Sequence, residues 1–212
     1  MNTIEIHAND TRDCASSGKR RGQTETRIGG TIACVNTTTT TTPGLVAAAQ
    51  AVLLQGLNLL FRLRDRQFAQ IARAPFHASI GGHFRHVLEH FHCLIEGLPA
   101  GQVNYDARRR NPRIENEVSF ASIATCDILR AIKRWSQETL DRNCKTLSGV
   151  AYSGPPTLLD SNVGRELAYC AAHAIHHYAI IRLICEEAGV EVPREFGYAP
   201  STLKHQSSLA AD

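Results

Sequence analysis

The chain lacks a Cys-x-x-Cys pair, an apolar run long enough to cross a membrane and any marked excess of one charge sign. Seven cysteines are present, an odd and widely spaced set, so neither a disulfide framework nor a zinc finger is indicated. They read as mostly small buried residues of a reduced, cytoplasmic protein. A net charge of +3 over 212 residues gives no footprint for nucleic acid, and the basic run Lys19-Arg20-Arg21 is too short to change that. Residues 45–61 are free of charge but fall short of the roughly 20 that a spanning helix needs. Gln50, Gln55 and Asn58 interrupt them, so they read as a core helix and no membrane association is expected. Residues 1–43 carry no apolar signal core.

Apolar content of 43% and charged content of 20% exclude a collagen, a mucin or a wholly disordered chain, and the length suits one domain. Residues 1–43 end in the threonine run 37–42 and Pro43 and are expected to form a disordered extension, because threonines lose side-chain freedom in a helix and offer no apolar face. From Leu45 the apolar residues recur with helical period through Leu53, Leu57, Leu60, Phe68 and Ile71. A second helix starts at Ser79, whose hydroxyl can cap free N–H groups, and runs to about Glu96. A polar connection carrying Arg108, Arg109 and Arg110 leads to a third helix through Phe120, Ile128 and Trp135. Gly149, Gly154, Pro155 and Pro156 break the pattern before a fourth helix from about 161 to 188, closed by Gly189 in a left-handed cap. With no strand pattern apparent, the expected class is all-α, a four-helix bundle over residues 44–205 with a tail over 206–212, and the segment carrying Pro193, Gly197 and Pro200 reads as an ordered cap or arm and not a fifth long helix.

One residue type is abundant. Ten histidines occur, and eight of them lie within 77–92 and 173–177. At about 100° per residue, His173 and His177 stand about 40° apart on one helix face, where two imidazoles can reach one ion. Glu166 and Tyr169 share that face, and Ile180 and Ile184 continue it as an apolar stripe, so the pair points inward, with Arg182 opposite. His83, His86 and His90 span about 60° of the second helix, beside Cys93 and Glu89, while His92 points away. One of these three with His173 and His177 would make a three-imidazole site with open positions for water or substrate. A polar core network of histidines is the alternative. A di-iron carboxylate site needs Glu-x-x-His on two helices and finds it only at Glu89 and His92. A Cys93–His nucleophile lacks any sign of a lowered thiol pKa.

Ser-Ile-Gly-Gly-His-Phe-Arg-His-Val-Leu-Glu-His at 79–90 and His-x-x-His-His-Tyr at 173–178 resemble the DinB/YfiT-like superfamily. The resemblance runs over about 45–203 and includes Tyr-Asp-Ala-Arg-Arg-Arg at 105–110, Val-Gly-Arg-Glu-Leu at 163–167 and Phe-Gly-Tyr-Ala-Pro-Ser-Thr-Leu at 196–203. It implies a four-helix bundle holding a divalent nickel, zinc or iron ion with one histidine of the second helix and two, spaced by four, of the last. Carried to this chain, the ligands are His173, His177 and, of His83, His86 and His90, preferably His86. The resemblance also implies either a metal-dependent transferase or hydrolase-like enzyme using a low-molecular-weight thiol or other small substrate, or a non-catalytic, dimerising, stress-related metal binder. A homodimer is the expected assembly.

Overall fold

The computed structural model describes residues 42–73, 77–149 and 152–209. The threonine-rich extension expected over 1–43 lies outside the described residues but for its last two, as do His7, Cys14 and Cys34.

Eight helices are described: α1 (Gly44–Leu60), α2 (Asp65–Ala69), α3 (Ile80–Gly97), α4 (Pro112–Asn116), α5 (Val118–Ile132), α6 (Gln137–Asp141), α7 (Val163–Glu187) and α8 (Pro200–Leu209). Of these, α1, α3, α5 and α7 form the bundle, with α7 packed against both α1 and α3. The first expected helix is shorter than its apolar period suggested. It stops at Leu60, and the charged stretch Arg62–Arg66 turns the chain into α2, which the Asp65 carboxylate ties to the start of α5 by accepting the Val118 N–H at 2.8 Å. The third expected helix likewise ends at Ile132 and resumes as α6, capped by Ser136. The second and fourth start as read: the Ser79 hydroxyl accepts the Gly82 N–H at 2.9 Å, and Asn162 accepts the Arg165 N–H at 2.8 Å. Gly189 takes φ 66°, the left-handed conformation expected of a helix cap.

An all-α class needs correction. A small sheet of β1 (Gln102–Asn104), β2 (Asn143–Ser148) and β3 (Thr157–Asn162) lies beside the helices, β1 parallel and β2–β3 antiparallel, in the order β1-β2-β3. Only Cys144 and Thr146 of β2 are buried, and β3 is almost wholly exposed. With so little apolar side chain turned inward, these strands leave no alternating signature in the sequence.

The core gathers Leu53, Leu60, Phe68, Phe84, Leu88, Phe91, Tyr178 and Phe196. Each such side chain contributes about 1.5–3 kcal/mol when fully buried. Phe196 comes from the segment after α7 and stacks on Tyr178 with centroids 4.8 Å apart. Arg182, expected to face solvent, holds that segment instead. Its Nη1 donates to the carbonyl oxygens of Pro193, Arg194 and Phe196 at 3.0–3.2 Å. The expected cap is therefore an ordered strap, followed by α8, whose ten residues continue past residue 205.

Candidate metal centre

The helix pair α3 and α7 positions the histidines. On α3, His83, His86 and His90 recur at intervals of three and four, and on α7, His173 and His177 stand one turn apart. Both stripes turn into the α3–α7 seam, flanked by the buried Phe84, Val87, Leu88, Ala174 and Tyr178. Five imidazoles meet there. The His86 and His173 Nε2 atoms are 2.8 Å apart, and the His83 and His177 Nδ1 atoms 2.9 Å apart. The ring of His177 lies 4.5 Å from that of His86 and 4.6 Å from that of His173. His90 lies 4.5 Å from His86 and 4.4 Å from His173. His86, His90 and His173 each offer one nitrogen within 4.8 Å of the other two. Two nitrogens on one tetrahedral ion stand about 3.4 Å apart, so small ring rotations would serve.

The protonation of these rings suits a cation. Burial, joined by the neighbouring imidazoles and Arg108, lowers His86 to about 2. Burial and neighbouring imidazoles lower His177 to about 3, and burial, His90, His176 and Arg108 lower His173 to about 4. His83 and His90 are also shifted down, mainly by burial. At neutral pH the rings are uncharged and keep lone pairs. Each close nitrogen pair can share only one N–H, so one nitrogen of each pair is an acceptor. His90 is fixed further: its Nδ1 donates to the His86 carbonyl at 2.8 Å, which leaves Nε2 as the unprotonated nitrogen. All the donors are neutral nitrogen, with no carboxylate or thiolate among the three. These residues fit a borderline divalent ion of the zinc, nickel or iron(II) type, and not calcium or magnesium.

Two tyrosines and a network of polar side chains surround the cluster. Tyr105 stacks on His90 at 5.2 Å and Tyr169 on His173 at 5.5 Å. The Tyr105 hydroxyl donates to the Glu166 carboxylate at 2.7 Å, and burial raises its pKa. Glu166 is fully buried and also accepts from Ser161 Oγ at 2.5 Å and Arg165 Nη1 at 3.1 Å. It therefore orients Tyr105, and among the described residues no imidazole bonds to it. Arg108 donates to the Tyr105 carbonyl at 2.6 Å and is close enough to depress three of the histidines. Arg109 instead pairs with Glu96 at 3.1 Å. His176 touches the ring of His177 edge-on at 5.4 Å.

His86, His173 and His177, the ligands expected from the sequence, all lie in the cluster. His83 and His90, expected as alternatives to His86, come together with it, and their spacing of three and four is the signal for this. Glu89, His92 and Cys93 line a separate cavity of about 270 Å³ with Phe120 and Asp127. Burial pushes the Cys93 thiol pKa up, which agrees with its rejection as a nucleophile.

The fold is that of a DinB-like protein. The DinB-like protein YjoA of Bacillus subtilis, known from a 2.30 Å crystal structure, superposes with a TM-score of 0.54 at 17% identity, covering 70% of this chain and 95% of YjoA. No family model matches the chain. Among curated proteins it is 42% identical over 104 residues to FK506-binding protein 5 of Rhizopus delemar. That match takes in 49% of this chain and 27% of the relative, so it spans about a quarter of the relative's length. Among the described residues, no helix is long and apolar enough to cross a membrane.

Proposed function

We propose that this protein is a divalent-metal-binding bundle in which His86, His173 and His177 hold a nickel, zinc or iron ion. The observation that carries the reading is the convergence of neutral imidazoles from two helices on one point of the seam, His86 and His173 at 2.8 Å. His90 competes with His177 for the third place, because its carbonyl-bound Nδ1 leaves Nε2 free for an ion. A divalent ion bound there supplies Lewis acidity at whatever coordination positions the protein leaves open. The chain's own contribution is to keep the imidazoles unprotonated by burial, to fix their rings against Tyr105 and Tyr169, and to hold Arg108 beside them.

The activity that fits is transfer or hydrolysis of a small substrate, with a low-molecular-weight thiol as reactant. The alternative is a non-catalytic metal binder. A homodimer and a cytoplasmic setting belong to the same proposal, as does a division into an extension over 1–43, a bundle over 44–205 and a tail over 206–212. The FK506-binding name describes a relative mostly outside the matched segment and adds no ligand to this reading.

The test is calorimetric titration of chelator-stripped protein with Zn(II), Ni(II) and, anaerobically, Fe(II), repeated on the alanine variants of His86, His173, His177 and His90. Loss of binding at His86 and His173, with the larger of the two remaining losses marking the third ligand, supports the proposal. Unchanged binding in the His86 and His173 variants refutes it. Product formation from thiol substrates by wild type, and not by His173→Ala, separates the enzyme from the passive binder.

A further inference from the structure

A cleft of about 420 Å³ opens beside the cluster, where the chain between α2 and α3 passes α4. Its lining combines His83, His86 and His177 of the cluster with Ile71, Arg85 and Glu115. Its geometry is fixed by close backbone packing. A Cβ at Gly81 would overlap the Glu115 carbonyl, so this glycine lets α4 sit against α3 and brings the Glu115 side chain to Arg85. Arg85 is incompletely used. Its Nη1 pairs with Glu115, its Nε is buried without a partner among the described residues, and its Nη2 makes no hydrogen bond among them. Elsewhere in the same protein Arg113 engages Glu117 with two parallel bonds, Nε at 2.8 Å and Nη2 at 2.9 Å. The one-nitrogen contact at Arg85 leaves Nη2 as the donor it can offer to a ligand. A guanidinium only donates, so what completes it must be an acceptor, and an anionic, planar one fits it best.

We infer that this cleft is the substrate entrance and that Arg85 binds a carboxylate of a small molecule whose other end reaches the imidazole cluster. This rests on the metal-site reading above and names the substrate class for that site. The exposed Ile71 side chain in the lining offers apolar surface to a short linker between the carboxylate and the group that reaches the imidazoles. Glu115 opposes the incoming carboxylate and keeps its affinity moderate.

The experiment uses the full chain loaded with Co(II) and follows the visible spectrum as 3-mercaptopropionate, 4-mercaptobutyrate or neutral 2-mercaptoethanol is added. At least one mercaptocarboxylate is expected to bind about tenfold more tightly than 2-mercaptoethanol. Arg85→Gln is expected to abolish that preference while leaving the Co(II) spectrum and 2-mercaptoethanol binding unchanged. Glu115→Gln is expected to enlarge it several-fold, the opposite of what loss of a merely structural ion pair would do. Equal binding of all three thiols to a Co(II)-loaded protein overturns the inference alone, as does a preference that survives Arg85→Gln. Failure to take up Co(II) overturns the metal-site reading and the inference with it.

Discussion

Burying several uncharged imidazoles in one seam makes the metal-free protein sensitive to mild acid. His86, His173 and His177 are held at about 2, 4 and 3, against 6.5 for a free histidine, with burial the main cause. Their folded pKa values lie below the unfolded one. The unfolded chain therefore binds more protons between pH 6.5 and about 4, and stability falls as pH falls through that window. Each ring that stays neutral costs about 1.4 kcal/mol per pH unit, for a ceiling of about 4 kcal/mol per unit from three. All three are partly open to water, which screens the effect, so about half is expected. From pH 6.5 to 4.5 the loss is then about 4 kcal/mol, a large share of a typical domain's 5–15 kcal/mol. Urea denaturation with chelator present, at half-unit steps from pH 7.5 to 4.5, measures it. His86→Gln should flatten the dependence, because the ring with the lowest pKa is gone. A midpoint that stays level from pH 7 to 4.5, with parallel m-values, would refute the reasoning.

Other consequences are equally open to measurement. The Tyr178 hydroxyl is buried with no hydrogen-bond partner among the described residues, so Tyr178→Phe should be neutral or stabilise by about 1 kcal/mol in urea denaturation. Gly56→Ala sets a methyl against that same hydroxyl and should cost about 2 kcal/mol or more, with partial rescue in the double variant with Tyr178→Phe. Glu166→Ala strands the Tyr105 and Ser161 hydroxyls and should cost about 3 kcal/mol by the same assay, whereas Glu166→Gln, which keeps the shape, should cost less than half of that. Arg182→Ala removes three bonds to the strap at 193–196, and hydrogen exchange there should accelerate at least tenfold while α3 remains protected.

Much of this architecture was legible in the sequence because the bundle helices carry their own period. Ser79 and the histidine spacing fixed the start and inward face of α3, and Gly189 marked the end of α7. What was not legible depends on neighbours far along the chain. Cys144 and Thr146 are the only buried residues of β2, so the sheet rests on backbone pairing that no hydrophobic pattern announces. Arg182 looked like a solvent residue by helical phase, yet the carbonyls of a segment beyond α7 turn back to meet it. The site shows the same division. Helical phase placed His173 and His177 on one face, but the joint presence of His83, His86 and His90 follows from how closely α3 approaches α7. Glu166 shares the face of His173, yet its bonds go to Tyr105 and Ser161, which the loop and β3 deliver from 61 and 5 residues away.

The most direct measurement is the metal content of untagged protein purified after growth with zinc, nickel and iron, set beside a His86→Ala, His173→Ala double variant. The account predicts about one divalent ion per chain in the wild type and a small fraction of that in the variant, with wild-type helical content in both. A folded wild type carrying no near-stoichiometric metal, or a variant that retains it, would contradict the account.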